Sequence, residues 1–242
     1  MFIFSKTYLR SVWVAITVVG TVSIWISATT YFRPGPTPLF LLEKGDLQDN
    51  VFWRTAFYFH VIGSCLCLAA GPLLMIGRLI RWRSFHRVVG YFYLNSVLWV
   101  AAPCGLMISP NAKAGQMAAA GFLLTGVLWW TTTWLAYRSI RGGDLSSHIR
   151  WAVRSYAIAL SAIAFRFIQL ALSQNIFGFQ MDHDSNYIAS VWLSLIVSVW
   201  ISETCISRHR ISGRSVASRT ISRGSASWQT SATTKPLKRL IS

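Results

Sequence analysis

Charged residues are scarce in this chain of 242 residues, where Asp, Glu, Lys and Arg together make up only 12%. A soluble domain carries roughly 25% charged residues. More than half of the chain, 53%, is hydrophobic, and the mean hydropathy is +0.45. This shortage of charge excludes an ordinary water-soluble globular protein. It predicts an integral membrane protein in contact with the lipid bilayer.

The residue patterns of common enzymes are missing as well. The sequence has no Ser or Cys nucleophile beside a base, no paired carboxylates and no glycine-rich phosphate loop. Its four Cys residues form no CxxC motif. Cys65 and Cys67 point about 200° apart around a helix, which predicts packing residues rather than metal ligands. These absences favour a protein that is not an enzyme but do not decide the question. No metal site is predicted.

Long apolar runs are what the chain has in quantity. A membrane-spanning helix needs about 20 mainly apolar residues. Six segments meet this condition, at about 11–31, 51–77, 88–109, 116–138, 152–175 and 188–206. The predicted fold class is therefore all-α, a polytopic membrane bundle of six transmembrane helices that forms one domain over residues 1–206.

The 23 basic residues predict the orientation of this bundle. The N-terminus, residues 78–87, residues 138–154 and the tail after residue 206 hold 2, 4, 4 and 8 of them, so 18 of the 23 fall on one side of a six-span arrangement. Basic loops face the cytoplasm, which predicts that both termini are cytoplasmic. The net charge of +16 is thus explained by topology, and nucleic acid is not predicted as a partner.

The segment 207–242 differs in composition from the rest of the chain. It is rich in Ser and Arg and contains no acidic residue. Such a composition cannot bury a core, which predicts a disordered cytoplasmic tail. Anionic lipid headgroups are a candidate partner for it, at about 1 kcal/mol per basic residue near the membrane surface.

Eight residues of the fifth predicted span share one helical face, because the steps between them alternate between four and three. They are His148, Ala152, Ser155, Ala159, Ala162, Arg166, Gln169 and Ser173. Close helix packing explains the small members. It does not explain Arg166 and Gln169, because an intramembrane charge costs about 3 kcal/mol or more unless it is satisfied. Both are therefore predicted to face a solute, a cofactor or a partner group.

His60 is predicted to lie at the same depth as Arg166. Each is nine residues from the outer end of its span, or about 13 Å along the helix axis. His60 also begins a face of small residues in the second span, which continues with Gly63, Ser64, Cys67 and Gly71. Such a groove suits either a flat macrocycle or the close approach of another helix.

Two further histidines stand where apolar runs begin, His86 in RSFHRVVGYFYL and His148 in SSHIRWAVRSYA. Two neutral imidazoles can ligate one haem b iron, and arginines such as Arg87, Arg150 and Arg154 can pair with its propionates. Two alternatives stay open: the rings and arginines anchor the helices at the interface, or they belong to a proton relay. We expect His86 and His148 to lie close together on the cytoplasmic side.

Four strings carry a resemblance to a known family: HVIGSCLCLAAGPLLM, FHRVVGYFYL, AGFLLTGVLWWTTTWLAY and RGGDLSSHIRWAVRSYAIALSAIAFRF. Over roughly residues 55–170 the chain resembles a bacterial family of predicted membrane proteins, domain of unknown function 2306. The resemblance implies a multi-pass protein of the bacterial inner membrane and no particular activity. By resemblance, the positions that match the family's recurring polar positions are His60, His86, Arg87, Gly90, His148, Arg150, Trp151, Arg154, Ser155 and Arg166.

Three functions are compatible with these residues. The first is a redox protein that binds haem b or quinone. Its cofactor-binding candidates are His60, His86, His148, Arg87, Arg150, Arg154, Arg166 and Gln169. The second is a transporter for a small polar or anionic solute, with Arg166, Gln169 and His60 as the binding groups. The third is a structural or assembly factor whose polar face docks helices.

Overall fold

The computed structural model describes residues 6–75, 82–174 and 181–232, with side chains described at residue 15 and over residues 17–207 within those ranges. These residues contain helices and no strand, which confirms the predicted all-α class. The α-helices are α1 Lys6–Thr29, α2 Leu39–Leu42, α3 Val51–Met75, α4 Arg83–Asn95, α5 Ala102–Ile108, α6 Gly115–Arg141, α7 Leu145–Ser173 and α8 His183–Ala232. A π-helical segment, Ser96–Ala101, joins α4 to α5, and two 3-10 turns cover Gly45–Asp49 and Ser109–Asn111.

Each of the six predicted segments falls on helical structure, although residues 76–81 and 175–180 lie outside the described part. Four helical stretches are long and apolar enough to cross a membrane: Val51–Met75, Arg83–Asn111, Leu145–Ser173 and His183–Ser207. The described apolar part of α1, Thr17–Thr29, is shorter. Helix α6 has the required length, but its run of Trp and Thr lowers its hydropathy, and it is not among the four.

We call the end of the bundle that carries Thr29, Val51, Asn111, Gly115 and Ser173 the upper end. The opposite end is the lower end. Helices α6 and α7 meet at the lower end through a turn of three residues, in which Gly143 has a φ of +79° that suits glycine. Asp144 caps α7 by accepting a hydrogen bond of 2.9 Å from the backbone N–H of Ser147.

The helix that contains Pro103 is irregular just before it. Proline has no N–H to donate, and the preceding segment Ser96–Ala101 takes the wider π-helical form. In a π-helix the N–H of each residue donates to the carbonyl five residues earlier. Because Pro103 has no N–H, the carbonyl of Leu98 has no backbone donor. The indole N–H of Trp130 supplies that donor at 3.2 Å.

The small-residue face of α3 serves close helix packing. A Cβ atom on Gly63 would lie 3.1 Å from the Cβ atom of Ala101, and one on Gly71 would overlap the ring of Tyr156. Cys67, on the same face, is fully buried. The sequence suggested that this groove holds either a flat macrocycle or another helix. The structure shows side chains of neighbouring helices packed against it.

The loop over residues 32–50, between α1 and α3, contains three prolines and two glycines, a composition that predicts turns or extended chain rather than helix. The structure has one helical turn, α2, and a 3-10 turn there. The reason is tertiary: Leu41 is buried with Trp53 and Phe57, and the Phe40 ring stacks on Phe57 at 5.4 Å. This burial stabilises a short helix that the local sequence would not form alone.

The chain divides into two compact units, Met1–Ser202 and Glu203–Ser242. The backbone of residues 207–232 is helical as a continuation of α8, where the composition predicted no regular structure. The prediction that this tail is disordered stays a prediction. Residues 233–242 lie outside the described part. The division into a membrane domain and a cytoplasmic tail stays a prediction.

Candidate functional site

A cavity of about 550 Å³ lies in the upper part of the first unit. Helices α1, α3, α5, α6, α7 and the first turns of α8 all contribute to its lining, and the segment that contains α2 contributes from the upper end. Most of the lining is apolar. This cavity brings together three of the predicted site residues, His60, Arg166 and Gln169.

His60 is held in one tautomer by the π-helical segment. Its Nδ1 lies 2.7 Å from the carbonyl oxygen of Ala101. Because a carbonyl only accepts, Nδ1 carries the proton, and Nε2 of the neutral ring is left as an acceptor. The ring lies against Gly105, where an added Cβ atom would come within 2.7 Å of Nδ1. A glycine on α5 and a carbonyl at the end of the π-helix therefore orient the imidazole.

Arg166 lines the same cavity and is exposed. Its guanidinium donates one long hydrogen bond, 3.4 Å, to the carbonyl of Ala162 on its own helix. It also lies 5.9 Å from the centre of the Phe165 ring. Within the described part of the chain, no carboxylate lies at ion-pair distance from it. The charge of Arg166 is close enough to His60 to act on it electrostatically. His60 and Arg166, which were predicted to lie at the same depth, therefore lie near each other at the cavity.

Aromatic rings form the wall next to Arg166. The ring of Tyr187 lies 5.2 Å from that of Phe165 and 6.0 Å from that of Phe122, in edge-to-face contacts. Gln169, one turn above Arg166, accepts a hydrogen bond at its backbone carbonyl from the side chain of Asn186 at 3.3 Å. These contacts fix α8 against α6 and α7 beside the cavity.

The upper rim of the cavity is positively charged. Lys113 Nζ lies 2.8 and 2.9 Å from the two carboxylate oxygens of Glu43. Lys44 donates to the carbonyl of Asn111 and lies 5.1 Å from the centre of the Phe40 ring. Burial lowers the pKa of Lys44, Glu43 opposes this shift and Lys113 adds to it. The cavity lining thus contains three basic side chains, Lys44, Lys113 and Arg166, and one carboxylate, that of Glu43.

The two histidines at the lower end lie outside this cavity. His148 Nδ1 lies 2.9 Å from the carbonyl oxygen of Ala136, so its Nε2 is also left as an acceptor. His86 Nδ1 is buried and has no hydrogen-bond partner among the described residues. The two rings are near enough to act on each other electrostatically. Joint ligation of one iron by them stays a prediction.

The arginines predicted for haem propionates make local contacts. Arg150 donates to the hydroxyls of Ser146 and Ser147 at 2.6 and 2.8 Å. The Arg154 guanidinium lies 4.6 Å from the centre of the Trp151 ring. Arg87 is exposed. These contacts along α7 are those expected of arginines that anchor a helix at an interface.

The core contains a closed ring of hydrogen bonds that the sequence did not predict. Thr133 donates its one hydroxyl proton to the carbonyl of Trp129 at 2.7 Å, so Ser155 must donate to Thr133 Oγ1 at 2.6 Å. Tyr93 then donates to Ser155 at 3.0 Å, and the Trp129 indole donates to Tyr93 at 3.3 Å. The polar face of α7 pointed to Ser155. Its partners on α4 and α6 depend on packing that no local pattern encodes.

Within the described residues, no group of three or more His, Cys, Asp or Glu side chains is arranged to hold a metal ion. Asp182, next to His183, has a local structural role. Asp182 accepts a hydrogen bond of 3.0 Å from the backbone N–H of Ser185, at the start of α8, and these bonds lower the pKa of its carboxyl. This is helix capping.

Residues 57–206 match the family model of domain of unknown function 2306, described as a predicted membrane protein. The chain belongs to this family. No curated protein and no solved structure matches it. The matched range contains His60, Arg166 and Gln169, whereas the cavity residues Glu43 and Lys44 precede it. The protein is a membrane protein, and its apolar helices contact the bilayer.

Proposed function

We propose that this protein binds a small anionic or polar solute in its upper cavity and acts as a permease for it. The observation that carries the proposal is Arg166, a guanidinium that faces a mostly apolar cavity with no carboxylate partner among the described residues. A charge in such surroundings is costly unless a partner satisfies it. An anionic solute supplies that partner, and Gln169 and His60 Nε2 add a donor and an acceptor beside it.

The same proposal includes a topology of six spans with both termini in the cytoplasm of a bacterium and the upper end outside. Helix α6 is the least apolar of the six, but its hydroxyls are satisfied within the helix: Thr131 donates to Val127 at 2.8 Å and Thr132 to Leu128 at 2.6 Å. Helix α1 belongs to the bundle, since the Trp25 indole donates to the Cys65 carbonyl at 3.0 Å. The basic tail then lies next to anionic headgroups of the inner leaflet.

The test is equilibrium binding of radiolabelled acetate, benzoate, phosphate and glycine to the full chain in lipid nanodiscs. We expect saturable binding of at least one of them. Arg166→Ala should weaken it about tenfold to a hundredfold, since a hydrogen bond to a charged group contributes about 1.5 to 3 kcal/mol. The matched control is Arg141→Ala, at the exposed lower end of α6. Absence of any binding that depends on Arg166 would contradict the proposal.

A redox function with haem b or quinone is the second candidate, and one observation favours it. His60 lines the cavity, donates Nδ1–H to a backbone carbonyl and leaves Nε2 as an acceptor, and metal-bound histidines commonly donate their other ring N–H in this way. Protein purified from haem-replete cells would then show a Soret band that shifts on reduction with dithionite and disappears in His60→Ala. A colourless protein would remove this candidate.

A further inference from the structure

We infer that the ligand of the upper cavity is an amphipathic monocarboxylate, with its acid group at Arg166 and its apolar body on the floor of the cavity. This inference rests on the proposed binding function and narrows it to a chemical class. It depends on three properties of the lining: how many cations lack a partner, which hydroxyls have protons to donate, and what the deeper wall is made of.

The count of free cations points to one acidic group. Lys113 is neutralised by both oxygens of Glu43. Lys44 is held at the rim by the Asn111 carbonyl and the Phe40 ring. Arg166, by contrast, makes only the long bond to its own helix and the Phe165 ring contact. A single guanidinium pairs best with a planar carboxylate, through two parallel hydrogen bonds.

The hydroxyl groups of the lining argue against a sugar-like or polyhydroxylated ligand. Ser161 donates to the Ile158 carbonyl at 2.6 Å, Thr125 to the Gly121 carbonyl at 2.8 Å and Ser194 to the Val191 carbonyl at 2.8 Å. Because each hydroxyl has one proton, these side chains have none left for a ligand. The hydroxyls of the lining that keep a proton for a ligand are that of Ser64, whose buried Oγ has no partner among the described residues, and those of Ser27, Tyr31 and Tyr187.

The deeper wall is apolar. Going down α7 from Arg166, the lining residues are Ala162, Ser161, Ala159 and Ile158, and Leu68 of α3 and Trp129 of α6 line the cavity as well. Cavities of about 300 to 1,000 Å³ with this mixture of an apolar wall and a few placed polar groups suit small organic ligands. The 550 Å³ found here has room for a hydrocarbon or aromatic body below the acid group.

Competition binding tests the class of ligand. The full chain in phosphatidylcholine nanodiscs binds radiolabelled octanoate, and unlabelled butanoate, hexanoate, octanol, gluconate and phosphate compete with it. Background from partition into lipid is measured with Arg166→Gln. Affinity should rise about fourfold per added CH₂, the equivalent of about 0.8 kcal/mol of transfer energy. Octanol and gluconate should compete at least tenfold more weakly than octanoate, and Arg141→Gln should behave as wild type.

The outcomes separate the inference from the function on which it rests. Phosphate or gluconate that competes as well as octanoate, still dependent on Arg166, would overturn the ligand class and leave solute binding intact. Octanol equal to octanoate would overturn the role of the acid group. Absence of Arg166-dependent binding of every compound would remove the proposed function itself.

A second variant, Ala162→Leu, tests the inference independently in case Arg166→Gln does not fold. Ala162→Leu keeps the charge and fills space directly below it, so it should lower octanoate affinity at least tenfold while butanoate affinity changes less than threefold. Equal losses for the two acids would show that the apolar body does not lie along α7, and would contradict the inference.

Discussion

The upper and lower ends of the bundle use the same residue types with different results. At each end a histidine donates Nδ1–H to the carbonyl of a neighbouring helix, His60 to Ala101 and His148 to Ala136. At the upper end the nearby arginine, Arg166, lines the cavity and has no carboxylate at ion-pair distance among the described residues. At the lower end Arg150 and Arg154 are engaged with side chains of their own helix. A histidine and an arginine therefore indicate a candidate site where both line a cavity, as His60 and Arg166 do and as His148, Arg150 and Arg154 do not.

The largest expected effect concerns which side of the membrane each end faces. Reporter fusions after Gly178 and after Ser212 should give opposite signals, with the first outside and the second in the cytoplasm, because 18 of 23 basic residues lie on the lower side of six spans. The measurement is the ratio of a reporter active in the periplasm to one active in the cytoplasm. Matching signals from the two fusions would contradict the proposed six-span topology.

Gly105→Ala should damage the upper end selectively. The new Cβ atom would come within 2.7 Å of His60 Nδ1, so the ring must move, and overpacking of this kind costs about 1 to 3 kcal/mol. Thermal unfolding in detergent measures the loss. Gly90→Ala is the matched control, because its Cβ atom would lie 3.9 Å from the nearest atom, on Leu74. Equal melting temperatures for the two variants would show that the glycine does not position His60.

Between the two ends, Ser155→Ala should open the ring of hydrogen bonds. Ser155 is 1% exposed, and its loss leaves Tyr93 without its acceptor and Thr133 without a donor. Membrane hydrogen bonds contribute about 0.6 to 2 kcal/mol, so the expected loss in unfolding free energy is about 1 kcal/mol. Ser173→Ala is the control, since that exposed hydroxyl bonds only to the Leu170 carbonyl of its own helix. A Tyr93→Phe, Ser155→Ala double variant should lose less than the sum of the two.

The smallest effect is expected at the rim. Glu43→Gln removes the ion pair with Lys113, whose side chain is 26% exposed and that of Glu43 35%, and surface pairs contribute about 0 to 1 kcal/mol. The same change leaves Lys113 without its carboxylate, so octanoate binding should become stronger rather than weaker. A drop in affinity would indicate that the pair orders the segment over the cavity and that its loss outweighs the gained charge.

Much of the fold could be predicted from the sequence, because long apolar runs and the Asp144 cap are local patterns. The site could be predicted only in part. Arg166 and Gln169 are conspicuous because polar residues are rare in an apolar run. The π-helical segment that supplies the Ala101 carbonyl, the burial of Leu41 that folds α2, and the partners of Ser155 all depend on contacts between distant segments. Such contacts leave no periodic signal in the chain.

The position of the bound ligand tests the central claim most directly. A diazirine-bearing medium-chain carboxylate, activated by light on the full chain in nanodiscs and mapped by mass spectrometry, reports which end it occupies. We predict labelling of residues 158–169, which excess octanoate suppresses and Arg166→Gln abolishes. Labelling that octanoate suppresses around His86 and His148 instead would contradict the assignment of binding to the upper end.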